Sequence, residues 1–158
     1  MGNQTGFLIA ILGNPTAANL DQEWERLEAK FRVGAECVVT LPVFDLEQLD
    51  RFLERLQPWR TPVIVTVYPL TSYRNAEFLA NEEQVAIPKP ILERMKDVES
   101  GEAARAEGIR IAQELVNQLR ERVQGLRLSA PLGRYGTVVE VLQALARKDE
   151  AAARKWHS

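Results

Sequence analysis

Three features of the sequence predict an α/β fold of four consecutive βα units with parallel strands. Short apolar runs recur over residues 7–12, 37–41, 63–67 and 126–130, and amphipathic segments with capping residues follow each run. The intervening stretches are also long enough to return the chain to the same end of a sheet, as adjacent parallel strands require, by right-handed crossovers.

The first run, 7–12, reads as a buried strand, and Gly13-Asn14-Pro15 as the turn after it. Asn19 with Gln22 three residues on predicts a capped helix to about residue 33. Leu20, Trp24, Leu27 and Phe31 fall on one face of it, and Gly34 stops it. The run 37–41 is almost continuously apolar, which predicts a strand covered on both faces. Asp45 and Gln48 repeat the capping pattern before a helix carrying Leu46, Leu49, Leu53 and Leu56 and ending near Pro58. The third strand, 63–67, leads into an enlarged unit. A helix starts over 72–79, a proline-marked loop follows at 87–90, a short helix covers 91–96, and a long helix runs over about 103–123. Ile111, Leu115 and Leu119 mark the buried face of that long helix. The fourth strand, 126–130, and a last helix, 138–145, complete the pattern. The expected organisation is a flexible stretch over 1–6, one structural unit over 7–146 and a charged tail over 147–158.

Composition narrows the function. Of 158 residues, 46% are hydrophobic and 27% charged, as in a globular chain rather than a disordered one. Twenty Lys and Arg against 22 Asp and Glu give a net charge of −2, which lacks the basic excess that favours a nucleic-acid partner. The run 7–12 is far shorter than a membrane span and has no basic segment before it, so no membrane association is expected. One cysteine, Cys37, leaves no internal disulfide and fits a cytoplasmic setting. One histidine, His157, leaves no His cluster for a metal and makes a Ser-His-Asp arrangement improbable.

In parallel α/β folds ligands gather beyond the carboxyl ends of the strands, here 13–15, 40–44, 68–75 and 130–135. By local chemistry alone Asn14 is a turn residue, Thr40 a β-branched strand residue, Ser72 a helix cap and Lys30 a solvated helix charge. Arg134, directly after Pro131-Leu132-Gly133, is evenly balanced between solvation and an anionic ligand. Cys37 reads as a small core residue, Trp24 as packing, and Glu82 with Glu83 as solvated carboxylates able to do acid/base work. No phosphate-loop, dinucleotide-fingerprint or paired-cysteine motif occurs.

Several stretches carry a more specific signal. Pro69-Leu70-Thr71-Ser72-Tyr73-Arg74-Asn75-Ala76-Glu77-Phe78-Leu79, then Asn81-Glu82, Ile87-Pro88 and Glu93-Arg94-Met95, resemble the methylenetetrahydrofolate reductase family, in the version fused behind a homocysteine methyltransferase. Asn14-Pro15, Lys30 before Gly34-Ala35, Thr40 with Pro42-Val43-Phe44-Asp45, the run from Gly108-Ile109 to Leu115, and Pro131-Leu132-Gly133-Arg134-Tyr135 extend the likeness in family order. The resemblance implies the second half of an eight-stranded (β/α)8 TIM barrel. A complete barrel takes about 250 residues, so this length suits half of one. It further implies noncovalent FAD, NAD(P)H as reductant, and reduction of 5,10-methylenetetrahydrofolate to 5-methyltetrahydrofolate, a step of one-carbon metabolism that feeds methionine biosynthesis.

By residue, the resemblance assigns Lys30 and Asn14 to the cofactor, and Thr40, Asn75, Leu79, Leu132 and Arg134 to the folate or nicotinamide site. It assigns no catalytic residue. The general-acid glutamate and the aspartate beside the flavin belong to the family's first half, and Leu41 replaces the glutamine that reads the pterin. Three readings stay open: a reductase segment completed by a complementary chain or a homo-oligomer, a non-catalytic binding or assembly protein, and a truncated product.

Overall fold

The computed structural model describes residues 6–83, 85–98 and 100–143. The strands are β1 (Ala10–Gly13), β2 (Cys37–Pro42), β3 (Val63–Val67) and β4 (Gly125–Leu128). They form one sheet in the order β1-β2-β3-β4, with every neighbouring pair parallel. Sequential order and uniform direction are what a segment of a βα barrel requires. The helices are α1 (Leu20–Arg32), α2 (Leu46–Leu56), α3 (Tyr73–Asn81), α4 (Lys89–Val98), α5 (Gly101–Leu119) and a last helix, α6, over 135–143.

The caps form as the sequence predicts. The Asn19 side chain accepts from Gln22 N at 3.1 Å, and Asp45 accepts from Glu47 N and Gln48 N at 3.0 and 3.1 Å. Gln48 Nε2 donates to the other oxygen of the Asp45 carboxylate at 3.0 Å, which holds the second cap in place. Ser72 caps α3 by accepting from Asn75 N at 3.1 Å.

One face of the sheet lies under helices. Ile11, Val38, Val63, Val65 and Val67 pack with Trp24, Leu27 and Phe31 of α1, Leu49, Phe52 and Leu56 of α2, and Ile111, Leu115 and Leu119 of α5. The first strand therefore corrects one expectation. It is covered on one side only: Ile11 and Gly13 are buried, Ala10 and Leu12 exposed. It is also shorter, because β2 begins at Cys37 opposite Ala10; Ile9 O still accepts from Glu36 N and Cys37 N, but Phe7 is 79% exposed. Cys37 is buried, but Val39 on the uncovered side of β2 is only half-buried, so the second strand is not fully covered either.

Other boundaries move for local reasons. The fourth strand ends at Leu128, since its partner ends at Val67; one further bond, Ser129 N to Val67 O at 3.0 Å, carries the pairing past it. Helix α4 starts at Lys89 rather than 91, with Pro90 in the first turn, where its missing N–H leaves no bond unmade. Helix α5 stops at Leu119 rather than near 123 so that the chain can turn into Gly125. The last helix begins at 135, and the expected stretches 1–5, 144–146 and 147–158 lie outside the described residues.

Gly108 decides how α5 meets the sheet. A Cβ on it would stand 1.7 Å from the Leu70 carbonyl oxygen, so only glycine lets the helix seat against the loop after β3. That loop leads directly into the candidate site.

Candidate functional site

The site grows from an irregularity in β2. Val39 is in register with Ile64, but Pro42 is in register with Thr66, so β2 carries an extra residue over 40–41. Thr40 and Thr66 stitch the bulge together: Thr66 N donates to Thr40 Oγ1 at 3.0 Å, and Thr66 Oγ1 donates to Thr40 O at 2.6 Å. Both threonines are buried. Thr40 thus shapes the carboxyl rim, with its hydroxyl committed to the neighbouring strand.

Next to this rim lies a concavity of about 440 Å³, walled by Thr40, Leu41, Pro42, Thr66, Tyr68, Asn75, Phe78, Leu79, Glu83, Val85, Arg127, Ser129 and Leu132. Four of the five residues expected at the folate or nicotinamide site, Thr40, Asn75, Leu79 and Leu132, meet here from three separate βα units. Asn75 is held from three sides. Its Oδ1 accepts from Thr71 N at 3.2 Å, its backbone N–H goes to Ser72 Oγ, and its Nδ2 donates to the Tyr68 hydroxyl at 3.4 Å. The Tyr68 oxygen acts there as acceptor, which leaves its proton to donate elsewhere. Leu132 is held at φ 52° and is 85% exposed. A leucine in left-handed backbone and in water is doubly unfavourable, by about 1–3 kcal/mol for the backbone alone.

Arg134 is not part of this wall. It is exposed, and its charge helps to lower the Glu102 carboxyl below its ordinary range; the hydrogen bond from Arg105 is the larger cause. Glu83 reaches the wall, whereas Glu82 does not.

Asn14 and Lys30 are not brought together. Asn14 sits at the carboxyl end of β1, where its Oδ1 accepts from Thr16 N and Thr16 Oγ1 at 3.0 and 3.1 Å. Lys30 lies in the last turn of α1, about 15 Å of helix rise from Leu20. A groove of about 530 Å³ passes Asn14, Asn19, Gln22, Glu23, Glu25 and Arg26. Glu23, Arg26 and Lys30 follow at i, i+3 and i+7 and so share one helical stripe, but Lys30 does not line the groove. Glu23, only 8% exposed, accepts from Asn14 N at 2.8 Å and from Arg26 Nε at 2.9 Å, while Arg26 also donates to Leu12 O. Arg26 is therefore neutralised. Lys30 has no ion pair among the described residues and offers a free ammonium.

A further cavity of about 460 Å³ opens at the amino ends of β3 and β4. Its polar groups serve the fold: Gln124 accepts from Val63 N at 2.9 Å, and Arg122 pairs with Asp50 at 2.8 Å. No helix among the described residues is long and apolar enough to cross a membrane.

Sequence reasoning missed Tyr68 as a hydrogen-bonding group and Arg127 and Ser129 altogether. Arg127 had a visible signal. It interrupts Leu126 and Leu128, which face the helices, and so places a charge on the opposite side of the β4 run.

A family model described as methylenetetrahydrofolate reductase matches residues 11–146. Over 138 residues the chain is 24% identical to a probable methylenetetrahydrofolate reductase (NADPH) of Caenorhabditis elegans, covering 85% of this chain and 21% of that protein. The chain thus spans about a fifth of the length of that curated relative. Among solved structures, an uncharacterized protein from Clostridium thermocellum that binds two copies of 5-methyl-5,6,7,8-tetrahydrofolic acid superposes with a TM-score of 0.65 at 19% identity, over 92% of this chain and 54% of that one. At that identity the likeness speaks for the fold.

Proposed function

The chain belongs to the methylenetetrahydrofolate reductase family, and from that premise we propose that it is the folate-binding second-half segment of a flavoprotein barrel. A reduced folate would dock in the concavity at the carboxyl ends of β2, β3 and β4. The meeting of Thr40, Asn75, Leu79 and Leu132 around one cavity of ligand size carries this reading. Phe78, Leu79 and Leu132 offer apolar surface to a flat ring, and the Tyr68 proton and the Ser129 hydroxyl offer polar contacts at its edge. The folate bound by the Clostridium thermocellum protein supports the ligand class.

In this reading Lys30 holds a phosphate of FAD and Asn14 a polar group further along. FAD, when bound, supplies the redox chemistry between NAD(P)H and the folate. The residues of this chain bind and orient. Arg134 stands outside the folate cavity. Reduction of 5,10-methylenetetrahydrofolate also needs the general acid that the family carries in its first half, so turnover depends on further βα units, which a complementary chain or a second copy would supply. The setting is cytoplasmic. A non-catalytic role is favoured by one observation: Leu41 stands on the cavity wall where the resemblance expects the glutamine that reads the pterin.

Calorimetric titration of 5-methyltetrahydrofolate into the chain, with flavin absorbance and NAD(P)H oxidation followed before and after adding a first-half barrel polypeptide, tests the proposal. Folate binding by the chain alone, with turnover only after the addition, is expected. No folate binding in either condition overturns the reading; folate binding with no flavin absorbance and no turnover selects the non-catalytic one.

A further inference from the structure

We infer that Arg127 determines ligand specificity in the carboxyl-end concavity by docking an oxygen acceptor of the ligand on its guanidinium. The inference rests on the folate reading and names the group that would select the ligand. Pro42, Thr66 and Arg127 are successive partners across β2, β3 and β4, so they form one row on the side of the sheet away from the helices. Within that row proline has no donor, and the Thr66 hydroxyl is turned to Thr40 O. Leu41, beside them, is apolar, and both ends of the Asn75 amide are engaged.

Arg127 alone in the row carries charge. It is exposed and has no hydrogen bond or ion pair among the described residues, Glu83 of the same wall included. Leu126 and Leu128 pack toward the helices, so the packing of β4 holds Arg127 on the cavity side. Five N–H donors in a planar fork suit a carboxylate or a ring carbonyl in the plane of a heterocycle. A folate carries both, the carbonyl on its pterin and the carboxylates on its glutamate. They share one chemistry, an oxygen that accepts two parallel hydrogen bonds or one strong one.

The test compares the unchanged chain with Arg127→Met and Arg127→Lys by calorimetry and thermal melting. Three probes are used: 5-methyltetrahydrofolate, 6-methyltetrahydropterin, which has the ring without the carboxylates, and p-aminobenzoylglutamate, which has the carboxylates without the ring. Arg127→Met is expected to weaken folate binding by about tenfold or more at an unchanged melting temperature, with Arg127→Lys keeping part of the affinity. The same loss for the pterin probe alone assigns the contact to the ring carbonyl, and for the glutamate probe alone to a carboxylate. Unchanged folate affinity in Arg127→Met overturns this inference and leaves the folate reading standing. Equal weakening by both substitutions with a lowered melting temperature assigns Arg127 to the fold and overturns it too. No binding of any probe to the unchanged chain overturns both readings together.

Discussion

The two faces of the sheet are unlike. On one, Val38, Val63, Val65 and Val67 are closed under α1, α2 and α5 and are almost wholly inaccessible. On the other, Leu12 is 46% exposed, Val39 and Ile64 are half-buried, and Arg127 is in the open. Parallel sheets are ordinarily covered on both sides, because each strand presents apolar residues to both. The difference separates two tasks. The helix-covered face holds the segment together, while the open face and its carboxyl rim are free to meet a ligand or the remaining strands of a barrel.

The contrast is broken most severely at Gly108. Gly108→Ala drives a methyl into the Leu70 carbonyl, and a loss of about 3 kcal/mol or more is expected, read as collapse of the thermal transition and of folate binding together. Removal of Glu23, which ties the end of β1 to α1, comes next. Glu23→Ala leaves the Asn14 N–H without its side-chain acceptor and the Arg26 guanidinium with Leu12 O alone, and a cost of about 2 kcal/mol in urea unfolding is expected.

A paired substitution sharpens the comparison directly. Val65→Ala, on the covered face, is expected to cost about 2 kcal/mol, and Leu12→Ala, on the open face, less than about 1 kcal/mol. Equal costs in the urea midpoint would show that the open face is covered in solution. Self-association would then appear in the mass by light scattering.

The smallest effect concerns pH. Hydrogen bonding to Arg94 holds the Glu114 carboxyl below its ordinary range, offset in part by burial. A carboxylate lowered in the folded state adds stability above its unfolded value and loses it as pH falls through the folded one. Glu114 is 54% exposed, so solvent screening limits the effect to about 1 kcal/mol at most. Glu114→Gln is expected to lower stability slightly near neutral pH and so to flatten the acid limb of the stability curve, with no difference from the unchanged chain once the pH is below the folded value of Glu114.

Much of the covered face was legible from the residues. Periodicity found α1 and α2 with their caps at Asn19 and Asp45, because a cap and an apolar stripe are local properties of a few residues. The strand runs were also legible, but not their lengths, since a strand ends where its neighbour ends. Family likeness chose Thr40, Asn75, Leu79 and Leu132, and these four share a cavity wall. Arg134 and the pair of Asn14 with Lys30 share nothing comparable. Tyr68, Ser129 and Arg127 were passed over because each has an ordinary local reading.

The sequence by itself determined the order of the four βα units, their parallel direction and the family to which they belong, since all three follow from spacing, capping and motif. Only the tertiary structure decided which face of each strand is covered, that the Thr40 hydroxyl is spent on Thr66, and that Arg127 stands unpaired beside the candidate site. Those facts depend on register between strands far apart in the chain, where one extra residue over 40–41 changes which partners meet.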